Sequence, residues 1–182
     1  MGTAEPQVLI SQETIARRVD ELARQISVDY ADDDGLVMIG ILRGAFILLA
    51  DLSRKLTIPR AVDFISVAAY PEGSAADAVR LIMDLRTNIK DRPVLIVEDV
   101  VDSGATLAYL QEMLKARNPQ SIRTCALLCK TRDRAANPRV DYLGFETADD
   151  WLVGYGLDYA DQFRTLPYIG VIYPARPAEK GK

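Results

Sequence analysis

Three carboxylates, two hydroxyls and a glycine fall within residues 98–106, in Glu98-Asp99-Val100-Val101-Asp102-Ser103-Gly104-Ala105-Thr106. The apolar run Pro93-Val94-Leu95-Ile96-Val97 leads into them, and Leu107, Leu110 and Leu114 recur behind them at helical spacing. The order is strand, turn, helix. Gly104 lets backbone approach a ligand closely, the first N–H groups of the helix are unpaired, and Ser103 and Thr106 add hydroxyl donors. Together they make an anion cradle suited to a phosphate monoester. Carboxylates beside such a cradle repel an anion unless they accept hydrogen bonds from sugar hydroxyls while Mg²⁺ offsets the charge. The stretch therefore asks for a phosphosugar with free hydroxyls. An ordinary βα turn with Ser103 as helix N-cap is the competing reading. Glu98 and Asp99 weigh against it, because charges at the end of a buried strand are costly unless used. The pattern matches neither the Walker A loop nor the G-x-G-x-x-G fingerprint.

Composition removes other chemistries. The chain has 182 residues and no histidine, which excludes Ser-His-Asp triads and histidine-ligated metals. Its length predicts one domain. A net charge of −4 with a pI near 4.9 lacks the basic footprint of a non-specific nucleic-acid binder. No apolar run is long enough to span a membrane. Neither a secretory signal nor a myristoylation pattern opens the chain, so the expectation is a cytoplasmic, reducing setting. Cys125 and Cys129 lie four apart in the apolar run 124–130 and are expected to be buried, reduced thiols sharing one strand face.

The elements that must position this chemistry alternate along the chain. Ser11 is predicted to cap a helix whose Ile15, Val19, Leu22 and Ile26 form one apolar stripe. Leu36–Leu42 is uninterruptedly apolar, as in a strand buried on both faces. Residues 45–56 read as helix, and 62–69, 79–85, 122–129, 142–145, 151–153 and 168–173 as strands. Residues 70–78 read as a polar, small-residue mobile loop. The predicted class is α/β: a single domain (7–173, with tails at 1–6 and 174–182) built on an open, mainly parallel sheet flanked by helices. Ligands in such sheets bind beyond the carboxyl ends of the strands.

The segment Val97–Thr106 resembles the 5-phosphoribosyl 1-pyrophosphate (PRPP) signature of type I phosphoribosyltransferases. Gly40-Ile-Leu-Arg-Gly-Ala-Phe46 resembles the pyrophosphate loop of that family's hypoxanthine–guanine branch. Asp141–Glu146, Trp151–Tyr159 and Phe163–Ile172 resemble its purine-binding end. The resemblance runs from about residue 10 to 172. It implies, in addition to the sheet, a small purine-binding hood from the chain ends.

It implies a role for each matching residue. Asp102 would carry the proton at purine N7. Glu98 and Asp99 would hold the ribose hydroxyls and take part in binding Mg²⁺. Asp102, Ser103, Gly104, Ala105 and Thr106 would hold the 5′-phosphate. Leu42, Arg43 and Gly44, with a cis peptide between the first two, would bind pyrophosphate together with Arg164. Lys130 would donate to the purine 6-oxo group, Trp151 would stack on the base, Leu152 would meet its edge through backbone, and Asp158 would hold a second Mg²⁺ through water. Ala69 and Tyr70 would open a lid over the reacting centre. Three positions depart from the family's habit: Ala69 where Ser is common, Ala105 where Lys is common, and Leu152 where Val is usual.

The activity implied is transfer of phosphoribose from PRPP to N9 of hypoxanthine, and of guanine with it, giving IMP or GMP and pyrophosphate. A homodimer or homotetramer is implied, with neither nucleic acid nor membrane as partner. A xanthine-preferring enzyme and an RNA-binding regulator that senses PRPP or nucleotide are the alternatives on the same fold. The acidic pI disfavours the regulator.

Overall fold

The computed structural model describes residues 5–69, 79–130, 139–148 and 151–173. Residues 70–78, with Tyr70, where a lid is expected, lie outside them, as do most of the two tails.

In chain order the elements are β1 (Gln7–Ile10), α1 (Gln12–Asp29), β2 (Leu36–Leu42), α2 (Phe46–Lys55), β3 (Arg60–Ala69), β4 (Val79–Met83), β5 (Pro93–Val101), α3 (Ala105–Lys115), β6 (Ser121–Lys130), β7 (Tyr142–Thr147), β8 (Leu152–Val153) and β9 (Ile169–Val171). Six strands form one sheet in the order β4-β3-β2-β5-β6-β7. Only β4 runs antiparallel to its neighbour. The expected mainly parallel α/β sheet is therefore present. A second, antiparallel sheet, β1-β9-β8, joins the two ends of the chain into the hood.

Continuous apolar runs dictate this layering. Leu36, Val37, Met38 and Ile39 in β2 and Val94, Leu95, Ile96 and Val97 in β5 are all fully buried, as strands covered on both faces must be. One layer packs α1 and α2 on the sheet through Ile15, Val19, Leu22, Ile26, Leu48 and Leu52. The other packs α3 through Leu107, Leu110 and Leu114. Burying each such side chain contributes about 1.5–3 kcal/mol. Ser11 caps α1 as expected, its Oγ accepting from the Thr14 N–H at 3.3 Å.

Three local expectations are corrected, and one strand is new. Gly104, not Ser103, caps α3: its φ of +75° is left-handed backbone that glycine adopts freely, and no side chain caps the helix. The two thiols do not share a face. Cys125 packs in the α1/α2 layer and Cys129 in the α3 layer, because the strand's alternation slips where Leu127 and Leu128 both meet the first layer. Pro6, assigned to a tail, is buried beside Gly170. The strand β1 has no clear alternation of its own and is made by pairing with β9.

The topology sets the site's place. The sheet order reverses between β2 and β5, and their pairing ends at Gly40–Val97. The chains diverge just before Leu42-Arg43 and Glu98-Asp99, which opens a crevice at the strands' carboxyl ends.

Candidate active site

On the α3 flank of this crevice, β5 turns into the helix through Asp102, Ser103 and Gly104. Glu98, Val100, Val101, Asp102, Ser103, Gly104, Thr106 and Leu107 line a small hollow of about 80 Å³. Gly104 caps the helix, and the Ser103 Oγ accepts at long range (3.5 Å) from the Ala105 N–H, so the start of α3 borders the hollow with its first N–H groups unpaired within the helix. The hollow has the size and polarity of a phosphate cradle. Ala105 opens the helix and adds no charge.

Glu98 and Asp99 are adjacent on a strand, so they leave it on opposite flanks. Glu98 lines the cradle and is almost fully buried. Its Oε2 has no hydrogen-bond partner. Burial first, and then the charge of Asp99, push its carboxyl from an ordinary 4.5 up to about 8. Asp99 lies on the other flank beneath Gly44, where a Cβ on residue 44 would collide with its carboxylate. Burial raises its carboxyl; its own and the Val100 backbone N–H groups and the Arg164 charge oppose this.

The cis peptide expected at Leu42–Arg43 is present. The loop it belongs to is pressed against the segment after β8: a Cβ on Gly156 would collide with the Gly44 carbonyl, and Gly156 has φ +106°. Arg43 Nη2 donates to Asp161 Oδ1 at 2.6 Å. Arg164 Nη1 donates to the Gly156 carbonyl at 2.8 Å, and its Nη2 pairs with Asp158 Oδ1 at 2.6 Å and approaches Asp161 Oδ1 at 3.5 Å. Asp158 Oδ2 also accepts from the Asp161 N–H at 2.8 Å. Two arginines from distant parts of the sequence thus converge on one rim.

On the β6 side lies a larger pocket of about 460 Å³, lined by Val100, Asp102, Lys130, Trp151, Leu152, Leu157 and Asp158. Lys130 ends β6, and its Nζ is 2.8 Å from Asp102 Oδ2. Trp151 is 61% exposed and packs edge-on against Tyr159, ring centroids 5.8 Å apart. A largely exposed indole held in place by a second ring offers a flat face to a planar ligand. Leu152 pairs with Val171 in the hood sheet, which fixes its backbone at the pocket's wall.

The structure therefore brings Asp102, Lys130, Trp151, Leu152 and Asp158 around one pocket, Glu98 with Asp102, Ser103, Gly104 and Thr106 around the hollow, and Arg43, Gly44, Asp99 and Arg164 together on the opposite flank of β5, where Arg164 pairs with Asp158. Ala69 ends β3 opposite Val79. Sequence reasoning missed Asp161 and Tyr159. Both sit in the polar run 158–164, and spacing alone does not reveal which arginine or ring they meet. It also missed Tyr155, whose hydroxyl donates to Asp51 Oδ2 at 2.6 Å and ties this segment to α2.

The donors around the crevice suit a hard divalent cation. Glu98, Asp99 and Asp158 offer only carboxyl oxygens, and the orphaned Glu98 oxygen is open to a cation, which would favour its ionised form, or to a hydroxyl. Among the described residues no three acids, cysteines or histidines cluster tightly enough to hold a metal alone, so ligand oxygens and water must complete its coordination. Mg²⁺, which keeps waters and binds phosphates, fits that requirement.

A strand-turn-helix hollow beside a carboxylate–lysine pocket has the chemistry to suit a phosphorylated sugar and a planar base. Residues 9–160 match the phosphoribosyl transferase domain family. The chain is 43% identical to the hypoxanthine-guanine phosphoribosyltransferase of Dictyostelium discoideum over 168 residues, covering 90% of this chain and 93% of that one. It is 42% identical to the hypoxanthine phosphoribosyltransferase of Escherichia coli K12, covering 91% and 94%. Among solved structures, it matches a Trypanosoma cruzi hypoxanthine phosphoribosyltransferase in ternary complex with substrates with a TM-score of 0.86 at 38% identity, covering 92% and 95%. The chain belongs to the phosphoribosyltransferase family.

Proposed function

We propose that this protein is a purine-salvage enzyme that transfers phosphoribose from PRPP to N9 of a 6-oxopurine, hypoxanthine and with it guanine, forming IMP or GMP and pyrophosphate. The observation that carries this reading is the placement of Lys130 Nζ 2.8 Å from the Asp102 carboxylate at the wall of a pocket with an exposed indole. The O6 and N7 atoms of a 6-oxopurine lie side by side on one edge. A lysine donor and a carboxylate at this separation match that edge: Lys130 donates to O6, and Asp102 holds the N7 proton. Adenine presents an amino donor where Lys130 also donates, and a buried mismatch of that kind discriminates strongly.

The remaining residues follow from the chemistry. The N–H groups and hydroxyls of 103–106 hold the 5′-phosphate. Glu98 from the cradle side and Asp99 from beneath Gly44 accept the ribose hydroxyls. Trp151 stacks on the base while the Leu152 backbone meets its edge. The C1′–oxygen bond to pyrophosphate breaks and the C1′–N9 bond forms. Backbone N–H groups of the 42–44 loop, Arg43 and Arg164 stabilise the charge that develops on the leaving pyrophosphate. Asp158, Glu98 and Asp99 would hold Mg²⁺ together with ligand oxygens and water, and the ion would supply further neutralisation of that charge. Asp102 moves the proton at N7 as general acid–base. Closure of the lid that begins at Ala69-Tyr70 excludes water from a ribosyl centre that it would otherwise hydrolyse. A cytoplasmic setting and a homodimer or homotetramer belong to the same proposal; the particle mass in solution tests the assembly.

Supplying PRPP and Mg²⁺ with hypoxanthine, guanine, xanthine and adenine in parallel tests the substrate. Turnover of hypoxanthine and guanine with adenine inert is expected. Turnover of xanthine alone would move the substrate, and turnover of adenine would contradict the role given to Lys130.

A further inference from the structure

We propose that Asp161 is a built-in competitor for the pyrophosphate subsite, a positioning residue that occupies its arginines until PRPP or pyrophosphate displaces it. The inference rests on the assignment of Arg43 and Arg164 to pyrophosphate. A single oxygen, Asp161 Oδ1, lies 2.6 Å from Arg43 Nη2 and 3.5 Å from Arg164 Nη2. The two guanidiniums come from positions 121 residues apart, one after β2 and one before β9. Two cations held at one rim repel each other unless an anion stands between them, and Asp161 is that anion.

The pair is also built to release. Arg43 and Asp161 are each 67% exposed, and exposed ion pairs are weak. A single carboxylate gives way to a ligand carrying several negative charges. Asp158 is a different case: its carboxylate is fixed by both Arg164 and the Asp161 N–H and is much less exposed. The Asp161 side chain is thus the one anion on this rim that can swing away without breaking the turn, because its own backbone N–H, not its carboxylate, anchors that turn to Asp158. In the free protein Asp161 orients and partly neutralises Arg43 and adds a longer contact to Arg164, which the Gly156 carbonyl and Asp158 already hold. The same contact charges a toll on ligand binding, and it speeds product departure by recapturing the arginines as pyrophosphate leaves.

Titrating inorganic pyrophosphate with Mg²⁺ into the whole protein by calorimetry tests this, using the wild type, Asp161→Asn, Asp161→Glu and Arg43→Gln. The expected result is about two- to fivefold tighter pyrophosphate binding by Asp161→Asn, the span an exposed ion pair is worth. Asp161→Glu, which restores the charge, is expected to return to wild-type affinity. In turnover, KM for PRPP falls in Asp161→Asn while kcat does not rise, since product leaves more slowly. Equal or weaker binding by Asp161→Asn, with Arg43→Gln clearly weakened, overturns the inference and leaves the subsite intact. Unchanged binding by Arg43→Gln overturns the subsite assignment and the inference with it.

Discussion

Replacing Glu98 by Gln should stabilise the fold at alkaline pH and weaken PRPP binding at the same time. Glu98 is buried with an unpartnered Oε2, and its carboxyl is raised from 4.5 to about 8. The sign follows from linkage. Below pH 4.5 the group is protonated in both folded and unfolded chains and costs nothing. Between pH 4.5 and 8 the unfolded chain ionises while the folded one does not, so stability falls as pH rises. Above pH 8 the loss levels off. Raising a carboxyl from 4.5 to about 8 corresponds to a ceiling of about 5 kcal/mol. Water entering the hollow beside Glu98 lowers this, and about 2 kcal/mol is a working value for Gln over Glu at pH 8.5. In a chain of this size that moves Tm by roughly 4–8 °C. The assay is thermal unfolding of wild type and Glu98→Gln at pH 5 and pH 8.5. The variant should match the wild type at pH 5 and exceed it at pH 8.5, with PRPP binding weakened at both. A Tm difference independent of pH would refute the reasoning.

Other expectations follow from single contacts. Lys130→Ala should raise KM for hypoxanthine by about 10- to 100-fold, the worth of a charged hydrogen bond, with KM for PRPP little changed in steady-state kinetics. Trp151→Ala should weaken hypoxanthine binding about 5- to 50-fold through lost stacking, while its Tm stays within a degree or two because the indole is largely exposed. Gly156→Ala should lower both Tm and kcat, since its Cβ meets the Gly44 carbonyl from a left-handed backbone; circular-dichroism melts beside initial rates check this. Chelating divalent cations with EDTA should abolish turnover, and added Mg²⁺ should restore it.

The parts of the fold that were legible in the sequence are those fixed by periodicity. The Ile15–Ile26 stripe, the Leu36–Leu42 run and the Leu107–Leu114 spacing each state burial directly, and each element appears where expected. The β1 strand was not legible because its pairing with β9 joins opposite ends of the chain. Ser103 looked like the better cap because composition ranks hydroxyls above glycine, but the turn demands φ +75°. The cysteines were misplaced by assuming unbroken alternation through a strand that slips at Leu127-Leu128.

The candidate site divides in the same way. The cradle is local, contained in residues 98–106, and its residue types disclose a phosphate beside hydroxyl acceptors. Family resemblance supplied roles for Lys130, Trp151, Asp158 and Arg164, and the structure gathers them at the crevice. Asp161 escaped because its meaning lies in a partner 118 residues away. That Glu98 and Asp99 face opposite flanks was implicit in strand geometry, yet adjacent carboxylates invite reading as one pair.

The central claim is that Asp102 and Lys130 hold a 6-oxopurine edge while phosphoribose is transferred to it. The most direct test is the rate of IMP formation from hypoxanthine, PRPP and Mg²⁺ by wild type and Asp102→Ala, with PRPP binding measured alongside. The account expects IMP from the wild type and a kcat reduced about 10²- to 10⁴-fold in the variant, with PRPP affinity within a few-fold. No IMP from the wild type, or an undiminished kcat in Asp102→Ala, would contradict it.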